Sequence, residues 1–247
     1  MKPRNLSGGL LWHWRGWRNQ ARWRPTQDHI AQWLLTLQPT SDRLLLIGAS
    51  AGWMLPNVWL RRFKHIEIWD LDPFAPWFFS RRHGQALKKA RVDWHYKTGD
   101  ALGRLPELLA QNPDAFVFFD NVLGQLRFMH RIGDPDEQVL RSERLLKTLV
   151  AQLQGRHWAS LHDRLSGPVD ETTAQRAVLS ARNSQVMPDE RQQLRSDRAW
   201  LNILGAQGEW LDHLTAPVFP PGTPVKDMAW PFLPTYWHWL QAGEVRP

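Results

Sequence analysis

The chain has no cysteine in its 247 residues. That excludes a disulfide framework, a thiolate nucleophile and a cysteine-containing structural zinc site, and it fits a cytoplasmic setting. No apolar run reaches the roughly 18 residues of a membrane-spanning helix. Leu10-Leu11-Trp12 is too short for a secretory signal and is followed by His13 and Arg15. The histidines show neither H-x-x-H nor H-E-x-x-H spacing, so a metal site has no sequence support. Internal repeats and low-complexity tracts are missing as well.

Acidic residues are missing from one stretch in particular. Residues 1–27 hold Lys2, Arg4, Arg15, Arg18, Arg22 and Arg24 and no acid, so they carry +6 of the chain's net +7. A basic Trp/Arg-rich segment over 1–25 thus precedes a nearly neutral body over 26–247, long enough for one domain. With Trp12, Trp14, Trp17 and Trp23 interleaved, the segment can stack on nucleic-acid bases or lie on a membrane surface. Because tryptophan is abundant throughout, the expected role is structural: rings packed on the body, arginines in water, and ligand affinity unchanged by deletion of residues 1–24.

Periodicity predicts a helix over Thr26 to Gln38, with Ile30, Trp33, Leu34 and Leu37 on one face. Arg43 to Ile47 reads as a buried strand ending at a Gly-rich turn, and Trp53 to Phe63 as a helix with Pro56 in its first turn. The alternation continues: strands over His65–Trp69, Val92–Tyr96 and Ala115–Phe119, helices over Pro76–Lys89 and Arg104–Ala110. It implies an α/β fold with right-handed crossovers and a mostly parallel sheet. Further on come a helix over Glu137–Gln154, a strand over His157–Leu161 and a mostly helical excursion, an insertion at about 164–208, broken near Met187-Pro188. Glu209–Thr215 and Thr235–Leu240, separated by a Pro-rich loop at Pro217–Pro224, suit an antiparallel pair at the sheet edge.

Ligands of open α/β sheets bind beyond the carboxyl ends of the strands. Those ends carry Gly48-Ala49-Ser50-Ala51-Gly52, Asp70-Leu71-Asp72-Pro73, Gly99-Asp100-Ala101 and Asp120-Asn121. In this order and spacing they resemble the class I S-adenosylmethionine-dependent methyltransferases, whose fold is a three-layer α/β/α Rossmann-like sandwich with a seven-stranded sheet. The resemblance covers residues 43–125 at motif level and departs from the family pattern at Leu46 and Ser50. It implies S-adenosyl-L-methionine as cofactor, held by Gly48, Ser50, Gly52, Asp70, Asp72, Asp100, Ala101 and Asp120. Asp120 and Asn121 would face the transferred methyl group. The acceptor, a small molecule or a protein, would be roofed by 121–136 and 164–208. An N-P-P-Y-type sequence is absent at Asp120-Asn121-Val122-Leu123, which argues against amino-methylation of nucleic-acid bases.

Other chemistries fit the same turn. A dinucleotide site would want glycines where Ser50 and Trp53 stand. Gly48-x-Ser50-x-Gly52 is also a nucleophile elbow, which would make Ser50 the nucleophile of a patatin-like acyl hydrolase with Asp100 or Asp114 as its aspartate. A non-catalytic Rossmann-like binding protein and aminopropyl transfer are further options. His162 and Asp163 end the fifth strand, where a substrate-facing base can sit, and Arg127, His130 and Arg131 belong to a solvated loop that can meet an acidic substrate.

Overall fold

A computed structural model describes residues 9–129, 134–179 and 181–247. Its elements in order are α1 (Gly9–Arg18), α2 (Gln20–Thr36), β1 (Arg43–Ile47), α3 (Asn57–Leu60), β2 (His65–Asp70), α4 (Ala75–Phe79), α5 (Gln85–Lys89), β3 (Asp93–Thr98), α6 (Leu105–Gln111), β4 (Phe116–Asp120), α7 (Leu126–Met129) and α8 (Pro135–Gln152). They are followed by β5 (Trp158–Pro168), α9 (Glu171–Ala177), β6 (Arg182–Gln185), α10 (Glu190–Ile203), β7 (Leu211–Asp212), β8 (Pro224–Trp230) and β9 (Tyr236–Val245). His130 and Arg131 lie outside the described residues, as do Lys2 and Arg4.

The strands form one sheet in the order β3-β2-β1-β4-β5-β9-β8-β6, with β7 pairing β5. The first five run parallel, and β9 enters antiparallel between β5 and β8. The central strands are apolar on both sides because both sides are covered. Leu44, Leu46, Phe116 and Phe118 point into one core with α2 and α3, while Leu45, Ile47, Val117 and Phe119 point into a second with α6 and α8. A third cluster, including Leu165, Trp200 and Trp239, binds α9 and α10 to the far ends of β5 and β9. The three-layer α/β/α, Rossmann-like architecture with a mostly parallel sheet and antiparallel C-terminal strands is therefore present, and two strands, β6 and β8, add to the seven expected.

Several boundaries differ from expectation. The expected start of a helix at Thr26 lies inside α2, which runs through Pro25, so the division at residue 25 crosses a continuous helix. A missing N–H in a helix interior costs about 3 kcal/mol. Fully buried Trp23, its ring 5.0 Å from Trp230, anchors the turn before that break. The helix over 53–63 shrinks to α3, because Pro56 is extended (ψ 139) and acts as its N-cap. Pro76–Lys89 is helical throughout but widens to a π-turn at Ser80–Gly84.

The second half departs further. β5 runs to Pro168 and so is twice the expected length. The excursion after it contains β6, which pairs with β8, as well as two helices. The C-terminal hairpin is β8 with β9, and Leu211–Asp212 pairs with β5 instead. Pro224 hid this: proline is tolerated as the first residue of a strand, where its absent N–H leaves no ladder bond unmade.

Candidate active site

The turn after β1 is shaped by positions that demand particular backbones. Gly48 has φ +81, and a Cβ there would lie 2.5 Å from Val122 Cβ and 3.0 Å from the Asp120 carbonyl, so only glycine lets the β1 and β4 turns touch. Gly52 has φ +65 and abuts His83 Nε2 in the same way. Between them Ser50 adopts φ 47, and its N–H donates to Asp70 Oδ2 at 2.8 Å. Asp70 Oδ1 accepts from the Asp72 N–H at 2.8 Å, and the Tyr96 hydroxyl donates to the Ser50 carbonyl at 2.8 Å. Asp70 thus braces both neighbouring turns while each of its oxygens keeps a lone pair.

These turns border a cavity of about 520 Å³. Gly48, Ser50, Asp70, Asp72, Asp100, Ala101, Asp120 and Asn121 all line it. Gly52 does not; it stays behind the turn, where its carbonyl receives His83 Nε2 at 3.1 Å. His162 is absent from the lining too, contrary to expectation. Successive residues of a strand point to opposite faces, so Leu161 and Asp163 reach the cavity while His162 is fully buried behind them, bonded to Ser160 and 5.3 Å from Phe219. Burial, then the Arg164 charge, push the His162 imidazole down to about 3, so it is neutral.

The expected roof is only half right. Val122, Gln125, Phe128 and Met129 contribute to the lining, but from 164–208 only Ser166 does. The rest comes from Trp230 and Phe232, in chain given no element, and from His213, His238 and Leu240, in expected edge strands that were given no part in the site. Arg127 is turned away and donates to the Asp212 carbonyl.

The N-terminal segment was expected to stay clear of this region, and it does not. α1 forms a wall of the cavity. The Gly9 N–H donates to Asp72 Oδ2 at 2.6 Å, His13 Nε2 meets the same oxygen at 3.1 Å, and the Trp12 indole donates to Ser50 Oγ at 3.0 Å. Gly16 packs so closely that a Cβ would lie 2.6 Å from the Trp53 ring. The Trp12 ring stacks on Phe232 at 6.1 Å, and the Arg15 guanidinium lies 5.0 Å from the same ring. Interleaved Trp and Arg showed that this segment had aromatic and basic chemistry, but not which face would turn inward.

At the end nearest β5 and β9 lies a polar cluster. His238 Nδ1 bonds Asp163 Oδ1 at 2.8 Å, and Asn121 and Gln125 donate to Asp163 Oδ2 at 2.9 and 3.3 Å. Among the described residues His238 Nε2 has no partner. His213 is fixed by the Gly124 carbonyl on Nδ1 and Ser166 on Nε2. Asp163, His213 and His238 offer ligand atoms within 4.8 Å of one another, which makes them, among the described residues, a group that could hold a metal ion. No histidine motif marked this trio, because its members come from three separate strands and loops.

The electrostatics are lopsided. Among the described residues, five aspartates line the cavity, Asp70, Asp72, Asp100, Asp120 and Asp163, against one fixed cation, Arg15. Burial, then the Asp70 charge, push Asp120 up to about 8. Burial also raises Asp70, opposed by the N–H groups of Asp72 and Ser50. Burial works the same way on Asp163, but the adjacent His238 outweighs it and holds the carboxyl down to about 2.

No protein-family model matches the chain, and no curated protein matches it. Solved structures do. A magnesium protoporphyrin IX methyltransferase from Synechocystis PCC 6803 with bound SAH has 10% identity and a TM-score of 0.49, the match covering 95% of this chain and 94% of that one. A SAM-dependent methyltransferase from Anabaena variabilis has 13% identity and a TM-score of 0.45, with 95% and 93% covered. Another from Geobacter sulfurreducens, in complex with S-adenosyl-L-homocysteine, has 13% identity and a TM-score of 0.41, with 90% and 91% covered. At these identities and TM-scores, function rests on the chemistry of the site itself.

Proposed function

We propose that this protein transfers a methyl group from S-adenosylmethionine to a small, largely apolar acceptor. The observation that carries this reading is the convergence, among the described residues, of five aspartates and one arginine on a cavity beyond the carboxyl ends of β1, β2 and β4. Such a field favours a cationic ligand without phosphates. A dinucleotide pyrophosphate would be repelled there.

S-adenosylmethionine supplies a methyl group on a sulfonium, an electrophile that needs positioning more than a catalytic dyad. Gly48 and Ser50 let the backbone approach the methionyl part, with Gly52 setting the turn behind them. Asp70 accepts hydrogen bonds from the ribose hydroxyls, while Asp100 and Ala101 border the adenine. Asp72, tied to Gly9 and His13, holds α1 over the cofactor. Asp120 and Asn121 stand at the methyl group, and Asn121 also fixes Asp163 through its side-chain amide. His238, oriented by Asp163, turns its free Nε2 to an acceptor proton. Trp230, Phe232 and Phe128 give the acceptor apolar walls.

The hydrolase reading is weaker because the Ser50 hydroxyl accepts from the Trp12 indole and has no histidine partner among the described residues. Calorimetry with S-adenosylhomocysteine tests the proposal. Binding at micromolar concentration is expected, with Asp70→Ala losing it, and no heat at about 1 mM, an affinity of only about 4 kcal/mol, overturns it.

A further inference from the structure

Two tryptophans of α1 take no part in the cavity. Trp14 and Trp17 are 54% and 67% exposed, and Leu10, one turn earlier, is 57% exposed. At i, i+4 and i+7 these three share one stripe of the helix, next to the stripe that closes the site. The stripe does not end with the helix. His13 stacks on Phe78 at 4.0 Å, and Phe78 meets Trp77 edge-on at 4.6 Å. Trp77, Phe74 and Leu71 are themselves 60%, 44% and 53% exposed, and Leu71 also lines the cavity. A second exposed apolar patch therefore flanks α1 and borders the cavity through Leu71.

Guanidinium groups lie over this surface. Arg18 is 4.8 Å from the Trp14 ring and Arg81 5.6 Å from the Trp77 ring. Residues 9–27 include no acid, and Asp72, between Leu71 and Phe74, is buried and engaged by Gly9 and His13. Large apolar patches on a protein's exterior mark interaction sites, and one set among arginines is complementary to an apolar layer with anionic headgroups.

We propose that this face docks on an anionic lipid surface. Trp14, Trp17 and Trp77 sit at the headgroup level, Leu10, Phe74 and Leu71 reach the acyl boundary, and Arg18 and Arg81 contact lipid phosphates. No helix among the described residues is long and apolar enough to cross a membrane, so the contact is peripheral. Lipid is favoured over nucleic acid because Leu10 and Leu71 extend the patch with aliphatic area that base stacking does not use. Leu71 belongs both to this face and to the cavity lining, so an apolar acceptor can pass from one to the other; this last step rests on the methyl-transfer reading, and the docking does not.

The test is co-sedimentation of the full chain with vesicles of phosphatidylcholine alone or with about one-third phosphatidylglycerol. Binding to the mixed vesicles is expected to exceed binding to phosphatidylcholine by about tenfold and to fall at high salt. The double variant Trp14→Glu, Trp17→Glu should lose it while keeping its circular dichroism spectrum and its affinity for S-adenosylhomocysteine. Failure to bind mixed vesicles at low salt, or equal binding by parent and variant, overturns the proposal. Saturable binding to a single-stranded oligonucleotide in place of vesicles, lost in the same variant, overturns it in favour of nucleic acid. Vesicle binding without S-adenosylhomocysteine binding leaves the docking face standing and removes the methyl-transfer reading.

Discussion

Asp120 joins burial to function at a single carboxyl. Its pKa rises to about 8 through burial and then the Asp70 charge, against about 4 in the unfolded chain. Between these values the folded chain holds a proton that the unfolded chain has lost, so this group's contribution to stability falls as pH climbs from about 4 to about 8 and is level above that. A sulfonium beside Asp120 favours the ionised form. The preference for S-adenosylmethionine over neutral S-adenosylhomocysteine should therefore grow several-fold between about pH 7 and pH 9. Asp120→Asn should flatten that dependence, which paired calorimetric titrations across the range can read. Gly48 is another single-residue constraint: the strand and turn patterns pointed to it, and the 2.5 Å approach of Val122 explains why glycine is needed.

Among the elements, α1 changes most between sequence and structure. Its basic and aromatic composition is compatible with a free tail, yet three of its residues bond the turns after β1 and β2. Removing residues 1–18 should weaken S-adenosylhomocysteine binding at least about tenfold, a loss of about 1.4 kcal/mol. Unchanged affinity in calorimetry would return α1 to a purely structural role. β1 was legible because Leu44 to Ile47, buried on both faces, are all apolar. β8 was not, since its first residue is proline and its interior carries Lys226 and Asp227, which break the apolar pattern.

Across the molecule, Asp227 ties the added strand β6 to the sheet. It is fully buried, and Oδ2 accepts from Arg182 Nη2 at 2.8 Å and Ser184 Oγ at 2.7 Å. Oδ1 accepts from the Trp239 indole at 3.1 Å and Gln241 Nε2 at 3.2 Å. Asp227→Ala would leave several donors unmatched in the interior and should cost about 3–5 kcal/mol in denaturant unfolding. A change below about 1 kcal/mol would mean that β6 docks without it.

By itself the sequence determined the α/β alternation, the Gly48–Gly52 turn and the series Asp70, Asp100, Asp120, because buried parallel strands and the turns after them are local patterns. Tertiary structure decided which faces meet. It extended β5 so that Asp163, not His162, enters the cavity, and it brought His213 and His238 beside Asp163 from distant segments. It also laid α1 against Asp72 and Ser50 as a wall of the cavity. Those contacts depend on strand order and on which side of a strand or helix is buried, and both are set by packing between segments far apart in the chain.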